Sequence, residues 1–174
     1  YEGIPEGPVT VRQVYGLYPY ENQLSLLEID GAILKECIEH AAEFYGAAVW
    51  DGTKLVLTPK PGMIPYNFDA VQGVAYRIDP AAPVGARVKE LTYRGRDVKP
   101  EDRFTLAVNS YRAQGSGGYT ALRRAKLLKS FPDEIRELLI ERLRQMKTLV
   151  PRMDGNWTVA PDEVWSEAPQ QPRP

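Results

Sequence analysis

The chain has one cysteine, Cys37, and one histidine, His40, among 174 residues. A lone cysteine excludes an internal disulfide. A lone histidine with no histidine-rich motif argues against a catalytic metal centre, because metal-dependent phosphate chemistry usually gathers several histidines and carboxylates around one or two ions. No apolar run approaches the ~20 residues a membrane-spanning helix needs, and no signal-peptide pattern opens the sequence. An excess of either charge is also missing: 22 basic against 23 acidic side chains leave a formal net charge of −1. A DNA or RNA partner needs a basic stripe, and the basic residues here are dispersed. A small anionic ligand needs only a few arginines and stays within reach.

What is present reads as an ordinary folded chain. Hydrophobic residues make up 43% and charged residues 26%, typical of soluble domains. The length suggests one domain, with room for a small appendage, large enough to bury roughly 70% of its unfolded surface. The sequence opens at Tyr1-Glu2-Gly3-Ile4-Pro5 without an initiating methionine, so we expect a piece of a longer protein.

Local patterns predict alternating helices and strands. Thr10 caps a short helix with Val11, Val14, Tyr15 and Tyr18 on one stripe, and Pro19 ends it. A strand is expected from Asn22 to Ile29. Asp30 caps a second helix with Leu34, Cys37, Ile38, Ala41 and Tyr45 on its apolar face and Gly46 as its stop. Cys37 then reads as a buried core thiol and His40 as a flank residue. Lys54 to Leu57 suggests a short strand after an Asp51-Gly52 turn. A loop is expected from Pro59 to Pro65, then strands at Gln72 to Ile78 and Arg87 to Tyr93, with a turn at Arg94-Gly95-Arg96. Phe104, Leu106 and Val108 alternate with the period of a half-buried strand. Ser130 and Asp133 resemble a capping pair and Pro132 an early helical position, opening a last helix with Ile135, Leu138, Leu139, Leu143 and Met146 as its buried stripe. Trp50, Trp157 and Trp165 read as packing anchors. The proline-rich tail, Ala168 to Pro174, is expected to fray. The mixture suggests an α/β fold, a mixed sheet with flanking helices.

Two stretches carry chemistry. In Asn109-Ser110-Tyr111-Arg112-Ala113-Gln114-Gly115-Ser116-Gly117-Gly118-Tyr119 an aromatic follows the end of a strand and a glycine loop follows the aromatic. Tyr18-Pro19-Tyr20-Glu21-Asn22 offers a second aromatic in a turn. Two such rings can clamp a flat ligand. A buried tyrosine with a wet hydroxyl is the commoner fate of either ring alone, and an ordinary turn is the commoner fate of the loop alone. Arg123, Arg124 and Lys126 read as a solvated basic face or a contact with another domain.

The order of motifs resembles the C-terminal domain of the 5'-nucleotidase family, over Val9 to about Trp157. The carriers are Tyr18 to Asn22, Tyr66-Asn67-Phe68-Asp69 leading to Gly73-Val74-Ala75-Tyr76-Arg77-Ile78-Asp79, Phe104 to Tyr119, and Asp154-Gly155-Asn156-Trp157. Tyr66 to Asp69 and Asn109 with Tyr111-Arg112-Ala113 look most like the branch with 2',3'-cyclic-nucleotide 2'-phosphodiesterase and 3'-nucleotidase activity. The 5'-nucleotidase branch usually carries Gly-Gly-Asp-Gly where this loop reads Gly115-Ser116-Gly117-Gly118, so an acceptor for ligand hydroxyls is missing at Gly117.

The resemblance implies a substrate-binding domain at 1–167 and a flexible tail at 168–174. It implies nucleotides or nucleosides as ligands, with Tyr20 and Tyr111 sandwiching the base. Asn22 would reach the base edge, Arg112 would face the phosphate or pair with an acid, and Gly115, Gly117 and Gly118 would let backbone approach the ligand. Tyr66 and Phe68 would shape the core beneath the site. No cofactor is expected in this chain: hydrolysis would belong to an N-terminal metallophosphoesterase domain with two divalent metal ions, in a periplasmic, cell-wall-associated or secreted enzyme. A phosphate-binding arginine would come from a stretch before Tyr1. Asn156-Trp157-Thr158 also fits a glycosylation acceptor. A non-catalytic module for a sugar or cell-wall ligand, and a purely structural domain, remain as rival readings.

Overall fold

A computed structural model describes residues 3–50 and 55–160. The expectations for the Asp51-Gly52 turn, Lys54, Trp165 and the tail lie outside those residues, and the Trp50 side chain is likewise not described. In chain order the elements are α1 (Val11–Leu17), β1 (Gln23–Asp30), α2 (Gly31–Ala42), β2 (Tyr45–Trp50), β3 (Leu55–Pro59), β4 (Ala75–Ile78), β5 (Val88–Tyr93), β6 (Arg96–Asp97), β7 (Arg103–Asn109), α3 (Ser110–Ala113), β8 (Lys126–Glu134), α4 (Ile135–Met146) and β9 (Trp157–Val159). The mixed α/β class is what the sequence suggests, with the strands distributed over three sheets among the described residues. The chain divides into two compact units, Tyr1–Ile29 with Phe104–Met153 and Asp30–Arg103 with Asp154–Pro174.

The first unit is built on the sheet β7-β1-β8. Along β1, Ser25, Leu27 and Ile29 are buried while the alternate residues are less so, which is the strand period at work. Thr10 caps α1 through a capping box with Gln13. Only Val14 of the expected stripe is buried there, and Val11 and Tyr15 are exposed. The main correction concerns Ser130, Pro132 and Asp133. They do not open the last helix; they form part of β8, which pairs antiparallel with β1 through Ser25 opposite Ser130 and Gln23 opposite Glu134. The register shifts between those two pairs, so the proline sits at an irregularity of an edge strand, where its missing N–H costs no ladder bond. The helix α4 starts at Ile135 after Glu134. Its buried residue is Ile140, which falls outside the expected stripe, and Met146 is exposed.

The second unit packs α2 against β5. Asp30 caps α2, its carboxylate accepting from the Ile33 amide at 2.8 Å. Ile33, Leu34, Cys37, Ile38, Ala41 and Ala42 are buried, Cys37 among them as expected. His40 lies half-buried on the flank, 3.6 Å from the Glu43 carboxylate. The helix ends sooner than expected, at Ala42, and Tyr45 and Gly46 belong to β2. Antiparallel pairing with β3 overrides the helical periodicity there: Tyr45 lies opposite Pro59, and a Cβ on Gly46 would meet the Thr58 carbonyl at 3.2 Å. The sheet β6-β5-β4-β9 is mixed, because β9 runs parallel to β4 while β5 runs antiparallel to it. The strand expected from Gln72 begins only at Ala75.

Candidate functional site

The first unit brings the two aromatic limbs to one end of its sheet. The strand β1 begins where its neighbour β7 ends, and the Gln23 amide donates to Ser110 Oγ at 3.1 Å. Tyr20 precedes that joint by three residues, and Tyr111 follows it by one. The Tyr20 residue is 40% exposed and Tyr111 is 42% exposed, so neither ring is core. Tyr20 meets Tyr18 edge-on, with centroids 5.7 Å apart and planes at 83°. The Asn22 amide donates to the Tyr18 hydroxyl at 3.2 Å, which ties the expected base-edge residue to the same aromatic group.

Tyr111 sits in the single turn of α3. Asn109 ends β7 and caps that turn, its side-chain oxygen accepting from the Arg112 amide at 2.7 Å. A strand therefore delivers Tyr111 through a sharp, capped corner. Arg112 is buried at 4% exposure. Its guanidinium lies 5.3 Å from the Tyr111 ring centre and 4.7 Å from that of the buried Tyr119. Its Nη1 donates to the Ser116 carbonyl at 3.3 Å. The side chain thus packs inward, linking α3 to the glycine loop. Stacking of a desolvated guanidinium on aromatic faces contributes about 2 kcal/mol in favourable cases.

The glycine loop is left-handed at three positions: Gly115 has φ +80°, Gly117 +70° and Gly118 +92°. The demand is clearest at Gly115, where an added Cβ would lie 2.7 Å from Arg123 Nε and 2.8 Å from Arg123 Cγ. Arg123 Nε donates to the Gln114 carbonyl at 3.2 Å. Arg123 is exposed, in keeping with a solvated basic face, and its side chain also lies back across the loop. Arg124 and Lys126 are exposed.

Sequence reading missed the first turn of α4, because it started that helix too early. The Ile135 amide donates to the Asn22 carbonyl at 2.9 Å, Arg136 reaches Glu21, and the Tyr15 hydroxyl donates to Glu137 at 2.8 Å. That hydrogen bond, with the negative charge of Glu137 behind it, raises the Tyr15 pKa.

The other quoted motifs lie in the second unit. Phe68 packs with Phe44, Tyr45 and Trp157, and Trp157 stacks on Tyr76 at 6.3 Å. Tyr66 is 44% exposed. Asn156 donates from Nδ2 to the Val71 and Val74 carbonyls at 2.8 and 2.9 Å. The amide a glycan would need is therefore committed to the fold. Among the described residues no three His, Cys, Asp or Glu side chains gather closely enough to hold a metal ion. No described helix is long and apolar enough to cross a membrane.

Comparison with known proteins adds the family. The family described as 5'-nucleotidase, C-terminal domain, matches residues 2–124. The chain is 29% identical to the trifunctional nucleotide phosphoesterase protein YfkN of Bacillus subtilis, over 92% of this chain and 12% of that protein. It is 30% identical to the 2',3'-cyclic-nucleotide 2'-phosphodiesterase/3'-nucleotidase of Salmonella typhimurium, over 91% of this chain and 27% of that protein. Among solved structures, a putative 5'-nucleotidase from Staphylococcus aureus superposes with a TM-score of 0.74 at 32% identity, over 87% of this chain and 30% of that one. The chain thus spans less than a third of the length of each of these relatives.

Proposed function

The chain belongs to the 5'-nucleotidase C-terminal domain family, and from that premise we propose that it binds the substrate of a nucleotide phosphoesterase, holding the base between Tyr20 and Tyr111. The observation that carries the reading is the Gln23–Ser110 hydrogen bond. It places two loops, each bearing a half-exposed tyrosine, at one sheet end. Both rings keep exposed surface beyond their contacts with Tyr18 and Arg112, and a stacked base would cover it. Stacking on an aromatic is worth about 1–3 kcal/mol per base and tolerates any base.

In this reading Tyr20 and Tyr111 bind, Asn22 hydrogen-bonds the base edge, and the backbone at Gly115, Gly117 and Gly118 lies against the sugar or phosphate. Arg112, being buried under Tyr111, acts first by holding that ring and the Ser116 carbonyl in place. Glycine at position 117 favours the cyclic-phosphodiesterase and 3'-nucleotidase branch, to which the Salmonella relative is named. Two divalent ions on a preceding metallophosphoesterase domain would supply the hydrolytic chemistry; no step of it is assigned to residues of this chain. An exported location, periplasmic, cell-wall-associated or secreted, goes with the same reading.

Calorimetric titration of adenosine, AMP, 2',3'-cyclic AMP and an oligosaccharide into the chain tests the proposal. The adenine ligands should bind and compete with one another, the oligosaccharide should not bind, and the chain alone should hydrolyse none of them. Binding of the oligosaccharide without adenosine would make this a sugar-binding module. Silence toward all four would leave a structural domain.

A further inference from the structure

We propose that Arg136 is a positioning residue for the Tyr20 limb, acting through Glu21. Its guanidinium makes three contacts in the first unit. Nη2 lies 3.3 Å from Glu21 Oε1, Nε pairs with the Glu134 carboxylate, and Cζ stands 4.8 Å over the Tyr15 ring. The neighbouring residues of the same helical turn bind the same limb: Glu137 accepts from the Tyr15 hydroxyl and Ile135 donates to the Asn22 carbonyl. The first turn of α4 therefore grips the chain at Tyr15, Glu21 and Asn22, on both sides of Tyr20.

Magnitudes separate positioning from stability. The Arg136 side chain is 15% exposed and that of Glu21 is 78% exposed, and an ion pair with one partner in water adds little to global stability. Its effect falls on where the limb sits. The choice of arginine fits: one planar guanidinium can face two carboxylates and lie on a ring at once, whereas an ammonium acts as a single point charge.

The inference rests on the nucleotide reading only for its binding readout. Arg136→Gln should weaken AMP affinity about 3- to 10-fold, Glu21→Gln somewhat less, and Arg136→Lys should fall between wild type and Arg136→Gln. In a Tyr20→Ala background the Arg136→Gln effect should shrink to less than about twofold, since the lever it works on is gone. Hydrogen exchange across residues 18–22 should speed up in Arg136→Gln and in Glu21→Gln, the latter at little change in melting temperature because Glu21 is exposed and Arg136 keeps its Glu134 and Tyr15 contacts. Unchanged exchange in both variants would overturn the inference, as would an equal loss of affinity with and without Tyr20. Faster exchange in a protein that never takes AMP would uphold the positioning role and remove the nucleotide reading instead.

Discussion

Gln23 and Ser110 are joined by a 3.1 Å hydrogen bond from the backbone amide of one to the hydroxyl of the other. Their residue numbers differ by 87. This contact fixes the start of β1 against the end of β7. Ser110→Ala should leave the Gln23 amide without that acceptor, at no more than about 1 kcal/mol for an exposed hydrogen bond. We expect AMP affinity to fall about threefold or more while the melting temperature shifts only slightly. Paired calorimetry and thermal melts check it.

Gly115 should not tolerate a side chain. Its φ of +80° disfavours any Cβ, and Arg123 occupies the space one would need. Gly115→Ala should cost about 1–2 kcal/mol from the backbone alone, and more until Arg123 moves. Combining it with Arg123→Ala should relieve the steric part and leave the backbone part, so urea denaturation of the two single variants and the double should be non-additive.

Asn156 should behave as a structural staple. Its amide serves two carbonyls, of Val71 and Val74. At about 0.5–1.5 kcal/mol per bond, Asn156→Ala should cost roughly 1–3 kcal/mol. Asn156→Asp should cost at least as much, since a carboxylate would face those same oxygens. Chemical denaturation reads both values.

The parts of the fold written locally were legible. Thr10 and Asp30 announce their helices because a cap acts on the next three residues, and Phe104, Leu106 and Val108 declare a strand by alternation alone. The misreadings came where a distant partner decides. Ser130, Pro132 and Asp133 carry a helix-start pattern, yet pairing with β1 holds them in a strand. Tyr45 and Gly46 continue a helical stripe until β3 claims them. In the candidate site, residue type and chain order alone nominate Tyr20, Asn22, Tyr111 and the three loop glycines as ligand contacts. The inward turn of Arg112 could not, since it depends on the Tyr119 ring and the Ser116 carbonyl being in reach. Arg136 carried no local signal at all; its meaning comes from Glu21, whose position it shares only in three dimensions.

The central claim is that Tyr20 and Tyr111 together hold a base, and one titration addresses it most directly: AMP into wild type, Tyr20→Ala, Tyr111→Ala and the two phenylalanine variants. Each alanine should weaken binding roughly 10- to 100-fold, one stacking partner's worth, and each phenylalanine should bind nearly as wild type does. Wild-type affinity in both alanine variants would contradict the account.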